Sequence, residues 1–112
     1  MATYSRHDVV RVPFPFTDRT AEKNRPALIL SDRTSFNTPA AHSVMAMITS
    51  AVHARWPLDV PITDAAAAGL PAPSLVRFKL FTLDHRLIRG VLGHLSDRDS
   101  SRVAKAVSRL LS

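Results

Sequence analysis

Arg25 stands directly before Pro26 and opens the most apolar run of its region, Pro26 to Leu30. A residue before proline is pushed into extended geometry, so the backbone at Arg25 is restricted and its side-chain direction partly fixed. Pro26, at the first position of a strand, forfeits no interior ladder bond. A guanidinium held at the rim of a rigid sheet, beside the charged loop "DRTAEKN", is suited to clamping a phosphate. The competing structural role is to close a barrel end by pairing with Asp18, Asp32 or Asp59. Thr49, at the end of "MAMIT", is a second candidate. In a regular strand its parity puts it on the face of Met45 and Met47, where its hydroxyl can donate to a phosphate oxygen; the alternative is a β-branched residue chosen for strand propensity. Arg77 in "SLVRFKLF" is another cation inside an apolar strand, and it can simply snorkel from a sheet edge.

Other chemistries are poorly supplied. The five histidines, His7, His42, His53, His85 and His94, form no H-x-x-H or H-x-x-x-H pair, and the chain has one glutamate, Glu22. They read as scattered surface or half-buried residues, with no metal site expected. With 3 glycines and no cysteine, phosphate-cradling loops, thiolate nucleophiles and disulfide frameworks drop out. No cofactor is expected. The formal net charge is +6, with 12 of the 15 basic residues being arginine. Guanidinium forks pair well with phosphates, so a nucleic-acid partner fits, although arginine also serves as an ordinary solvated surface residue.

The elements that must position these residues are short. At 112 residues the chain is expected to form one domain over 1–112. Its start lacks the apolar core of a signal peptide and no stretch is long enough to span a membrane, so a cytoplasmic protein is expected. Asp8 to Val12 reads as a strand that Pro13 ends. Further strands are expected at Pro26 to Ser31, Ser43 to Ser50, Leu58 to Ile62, Ser74 to Phe78, Leu80 to Leu83 and Leu87 to Leu92. Many short strands with frequent prolines indicate a small β-barrel. "TDAAAAGLP" predicts one or two helical turns capped by Thr63 and stopped at Gly69 and Pro71. A final amphipathic helix follows Ser96, which has capping-box-like spacing to Asp99. Val103, Ala106, Val107, Leu110 and Leu111 recur along it at helical intervals and should face the barrel.

The blocks "HDVVRVPFPFTD", "NRPALILS", "MAMITS", "SLVRFKLFTLDHRLI" and "LGHLS" resemble, in order and over nearly the whole chain, the MazF/PemK family of toxin endoribonucleases. The resemblance implies a mainly β, SH3-like small barrel of the CcdB/PemK type with a C-terminal helix. It also implies a homodimer that cleaves single-stranded RNA or mRNA without metal, leaving a 2′,3′-cyclic phosphate and a 5′-hydroxyl. A cognate antitoxin would lay an acidic, disordered segment over the RNA site. The family's arginine before proline falls on Arg25, its strand-end threonine on Thr49, and an arginine of the later strand block on Arg77. Arg19, Lys23, Arg77 and Lys79 are then the expected RNA contacts.

The chain departs from the family pattern at three places. His7-Asp8 replaces a frequent Gly-Asp. The first loop lacks the histidine of some members, which leaves Glu22 as the nearby candidate base. Lys79 stands where some members carry an acid. Two rival functions share the fold. One is a non-catalytic nucleic-acid-binding barrel or inactive homologue. The other is a gyrase poison of the CcdB type, which needs a Trp-Gly-Ile terminus where this chain has "SRLLS" and its one tryptophan, Trp56, elsewhere.

Overall fold

The structure, a computed structural model, describes residues 3–13, 24–52 and 55–112. Six strands form one antiparallel sheet: β1 (Asp8–Pro13), β2 (Asn24–Ile29), β3 (His42–Ser50), β4 (Val60–Pro61), β5 (Ser74–Asp84) and β6 (Gly90–His94), in the order β4-β5-β3-β2-β1-β6. The sheet is curled into a half-barrel, and its two edges are joined by the turn that follows β4. The His94 N–H of β6 donates to the Ala67 carbonyl of that turn at 3.0 Å. Gly93 makes this seam possible, because a Cβ there would lie 2.4 Å from the Ala67 oxygen.

Period-2 alternation packs both faces of the sheet. One face buries Val9, Leu28, Ala46, Ile48, Val76 and Phe78 beneath the C-terminal helix and the 64–70 turn. The other buries Val10, Val12, Ala27, Ile29 and Met45, with Tyr4 laid over them. The sequence splits the later strand block at Lys79, but β5 runs on for 11 residues. Two extra β5 residues, Phe78 and Lys79, are absorbed between the Ala46↔Leu80 and Met47↔Arg77 pairs. Such a bulge bends the strand and strengthens the curl.

Two expected elements change character. The alanine run is a hydrogen-bonded turn, not a helix, and Asp64 rather than Thr63 caps it by accepting from the Ala67 N–H at 3.0 Å. Thr63 instead donates its N–H and hydroxyl to the Asp99 carboxylate, at 3.0 and 2.8 Å. The segment after β2, expected only as a boundary, coils into a wide π turn, Arg33–Asn37, capped by Asp32. Asn37 is fully buried there and donates to the carbonyls of Tyr4 and Ser31, both at 2.9 Å.

The C-terminal helix, Asp97–Leu111, is capped as expected, with the Ser96 hydroxyl accepting from the Asp99 N–H. Val103 and Ala106 are buried in the sheet's core, whereas Leu110 and Leu111 remain exposed, lining a groove with Leu30, Val44 and Leu80.

His7 adopts φ 72°, in the left-handed region. Here it bridges strands, donating its N–H to the Ile29 carbonyl and accepting from the Leu95 N–H. Desolvation, then the charges of Arg6 and His94, lower its pKa from 6.5 to about 4. The unfolded chain therefore takes up this proton first, and stability falls as pH drops from about 6.5 towards 4. A non-glycine residue in left-handed backbone costs roughly 1–2 kcal/mol, against about 0.5–1 kcal/mol for the extra freedom of glycine. His7→Gly is accordingly expected to be within about 1 kcal/mol of neutral at pH 7.5 and clearly stabilising at pH 5. Melting curves of both proteins at the two pH values check this; a gain no larger at pH 5 refutes it.

Candidate active site

Of the expected site residues, Arg25, Thr49 and Arg77 lie towards one end of the sheet. The Ala27↔Met47 pair of β2 and β3, extended two residues along each strand, sets Arg25 level with Thr49. Val12 pairs with Arg25 on one side, and Leu75 pairs with Thr49 on the other. Directly opposed residues of an antiparallel sheet share a face, so Arg25 and Thr49 project together from neighbouring strands. The next row inward is Val10, Ala27, Met47 and Arg77, on the same face.

The guanidinium of Arg25 is exposed, while Thr49 is buried to 8%. Of the carboxylates that could have captured Arg25, Asp59 is bound to Arg77. Asp32 accepts from the N–H groups of Thr34 and Ser35 and lies 4.0 Å from Arg6. Asp18 lies outside the described residues. The two described acids are therefore occupied elsewhere, and Arg25 is exposed at the position level with Thr49.

Arg77 has a different environment. Its strand is flanked by β3 and β4, and its side chain does not snorkel from an edge. Instead it forms a forked pair with Asp59, Nε to Oδ1 at 3.2 Å and Nη2 to Oδ2 at 2.9 Å. Those hydrogen bonds raise its pKa against the opposing effect of burial. Trp56 covers this pair, with the Arg77 guanidinium carbon 5.6 Å and the Lys79 ammonium 5.8 Å from its ring centroid. Lys79 is half-buried on the same face. Glu22, Arg19 and Lys23 lie outside the described residues.

Trp56 and Asp59 were not foreseen as part of this cluster. Neither has a local motif, and what gathers them is the β4–β5 pairing, which brings the segment before β4 against Arg77. A single exposed tryptophan beside an aspartate was the available signal.

The described histidines are engaged within the fold. The His94 Nδ1 meets Asp8 Oδ1 at 2.8 Å, and the His85 Nε2 meets the buried Ser43 hydroxyl at 2.7 Å. Among the described residues no three His, Cys, Asp or Glu side chains are grouped to hold a metal ion. What the site end can do chemically follows from its groups. A guanidinium and a hydroxyl on neighbouring strands can grip the nonbridging oxygens of one phosphodiester.

The antiparallel sheet curled into a half-barrel, with a C-terminal helix on one face, defines a small-barrel protein. The family model described as the PemK-like, MazF-like toxin of type II toxin–antitoxin systems matches residues 5–111, and the chain belongs to that family. Solved structures share its fold. An endoribonuclease in complex with its cognate antitoxin, from a Mycobacterial species, superposes with a TM-score of 0.76 at 20% identity, covering 99% of this chain and 95% of that one. The MazE–MazF complex of Deinococcus radiodurans (Form-II) gives 0.76 at 20% identity, covering 100% and 98%. The Mycobacterium tuberculosis toxin MazF-mt6 gives 0.70 at 23% identity, covering 91% and 93%. No curated protein sequence matches the chain.

Proposed function

We propose that this toxin-family chain is an endoribonuclease that cleaves single-stranded RNA, including mRNA, without a metal ion. The observation that carries the reading is the Arg25–Thr49 row, a cation and a hydroxyl level with each other on adjacent strands. In this chemistry the ribose 2′-oxygen attacks the adjacent phosphorus in line, and the bond to the 5′-oxygen breaks. A 2′,3′-cyclic phosphate and a 5′-hydroxyl result. Negative charge develops on the nonbridging oxygens, where Arg25 offers a preorganised fork and Thr49 a hydroxyl donor. The 2′-proton leaves to Glu22 or to water, and the departing 5′-oxygen is protonated in turn.

The same cationic end would accept an acidic antitoxin segment, so neutralisation needs only competition for one surface. Leu110 and Leu111, with Leu30, Val44 and Leu80, line an apolar groove of about 210 Å³ away from that end. This groove supports assembly as a symmetric homodimer. Among the described residues no helix is long and apolar enough to cross a membrane, and action on RNA in the cytoplasm fits the reading.

The test is to incubate a defined single-stranded RNA with the pure protein in EDTA and map the ends. Cyclic phosphate and 5′-hydroxyl termini are expected, and a strand with deoxyribose at the cleavage position should bind yet stay intact. Scission of the deoxy-substituted strand, or activity abolished by the chelator, overturns the mechanism. Binding without scission of any RNA favours the non-catalytic barrel.

A further inference from the structure

Trp56 is the chain's one tryptophan, and it stands 43% exposed in the segment leading to β4. A single exposed aromatic is ordinary on a protein surface. This one differs because its backbone is anchored and cations lie against its ring. The Asp59 carboxylate accepts from the Trp56 backbone N–H at 3.0 Å and, with the same group, holds the Arg77 guanidinium beside the indole. The Asp59 N–H donates back to the Trp56 carbonyl at 3.2 Å. One ion pair thus anchors the Trp56 backbone and holds a cation against its ring.

The indole opens onto a cleft of about 400 Å³ lined by Ala51, Arg55, Leu58, Pro61 and Leu75 together with Asp59 and Trp56. That volume falls in the range of small-ligand clefts, roughly 300–1,000 Å³. Its walls are mainly apolar, and Arg55 is exposed at its side. The cleft begins where the candidate phosphate site ends, since Leu75 is the cross-strand partner of Thr49 and Ala51 follows two residues later. An aromatic platform with cations around it and a phosphate clamp next to it matches the physical needs of an unpaired nucleotide. The base stacks on the π-face, and the backbone follows the positive charge.

We infer that the Trp56 cleft is a base-binding subsite, in which one unpaired nucleobase flanking the scissile phosphate stacks on the indole. The inference rests on the RNA-cleaving reading, and it assigns Trp56 a positioning role there. Asp59 acts through Trp56 and Arg77 and touches no reacting atom. Because every base has a π-face, stacking alone holds the strand in place with little preference for sequence.

Trp56 is also its own reporter. Short 2′-O-methyl RNA strands of mixed sequence, which lack the attacking hydroxyl, are titrated into the protein. Intrinsic fluorescence and the anisotropy of an end-labelled strand are followed together. Saturable quenching of Trp56 is expected, with the same midpoint as the anisotropy. Trp56→Ala should weaken binding by about 5- to 150-fold, the range for losing one stacked base, and Trp56→Phe should restore most of it with an unchanged melting temperature. A strand that binds by anisotropy while Trp56 fluorescence stays constant overturns the subsite and leaves the nuclease reading intact, as does undiminished affinity in Trp56→Ala. No binding of these strands, together with no scission of unmodified RNA, overturns the two together.

Discussion

Arg25→Ala is expected to slow RNA cleavage by at least about 10²–10³, the usual loss on removing one preorganised donor from a developing oxyanion. Arg25→Lys should recover little, because an ammonium keeps the charge but not the planar fork that meets two oxygens. The melting temperature of both variants should stay near that of the parent. The side chain is exposed, and Asp32 and Asp59 are occupied by other partners. Exposed ion pairs contribute only ~0–1 kcal/mol in any case. The opposite pattern, a destabilised protein with cleavage intact, would identify Arg25 as a barrel cap and sink the catalytic assignment. Thr49→Ala should show a smaller version of the same rate effect. Its deeper burial predicts some loss of stability as well, so Arg25 is the cleaner probe.

The position of Arg25 was legible because local rules fix it: proline restricts the residue before it, and a strand tolerates proline at its first position. β1, β3 and the C-terminal helix were legible for similar reasons, since their periodicity and end signals lie within a few residues of each other. What escaped was decided at long range. Nothing near "TDAAAAGLP" says that Thr63 and Asp64 will surrender their N–H groups to a carboxylate 36 and 35 residues away. That bond, with the left-handed Gly69, turns the chain before a helix can form. The lengths of β5 and of the π turn were likewise set by partners. Lys79 looks like a strand break until the bulge against β3 accommodates it, and Asn37 looks like a loop residue until it is buried under Tyr4. The Trp56–Asp59–Arg77 cluster falls in the same group. Its members span more than 20 positions, and only the β4–β5 pairing brings them together. The His7 departure had a physical meaning that the sequence could not show, because a backbone dihedral is invisible until the turn is built.

Asp99→Ala is the substitution expected to damage the fold most. The carboxylate is fully buried at the start of the C-terminal helix and accepts four hydrogen bonds from Thr63 and Asp64, at 2.8 to 3.2 Å. It thereby ties the helix to the turn that closes the barrel seam. Burial alone would push its pKa up. The bonds from the Asp64 N–H and from Thr63 outweigh that effect and hold it below the ordinary 3.8. Alanine removes the acceptor and leaves those donors unpaired, each such loss being worth ~1–3 kcal/mol. Because neighbouring losses do not add fully, a total of about 2–4 kcal/mol is expected. For a domain of this size that lowers the melting temperature by roughly 10–25 °C. Asp99→Asn keeps one oxygen in place and should recover part of this. The acid response supplies a second, independent readout. Since the folded carboxyl has the lower pKa, its contribution is present above about 3.8 and disappears as pH falls through the folded value. Asp99→Asn should therefore flatten the stability profile in that acid range while leaving the His7-dependent slope between about 6.5 and 4 in place. Thermal melts from pH 7 down to pH 3 on the two variants and the parent measure both effects. Equal melting temperatures for Asp99→Ala and the parent would show that the turn and the helix hold together without the carboxylate.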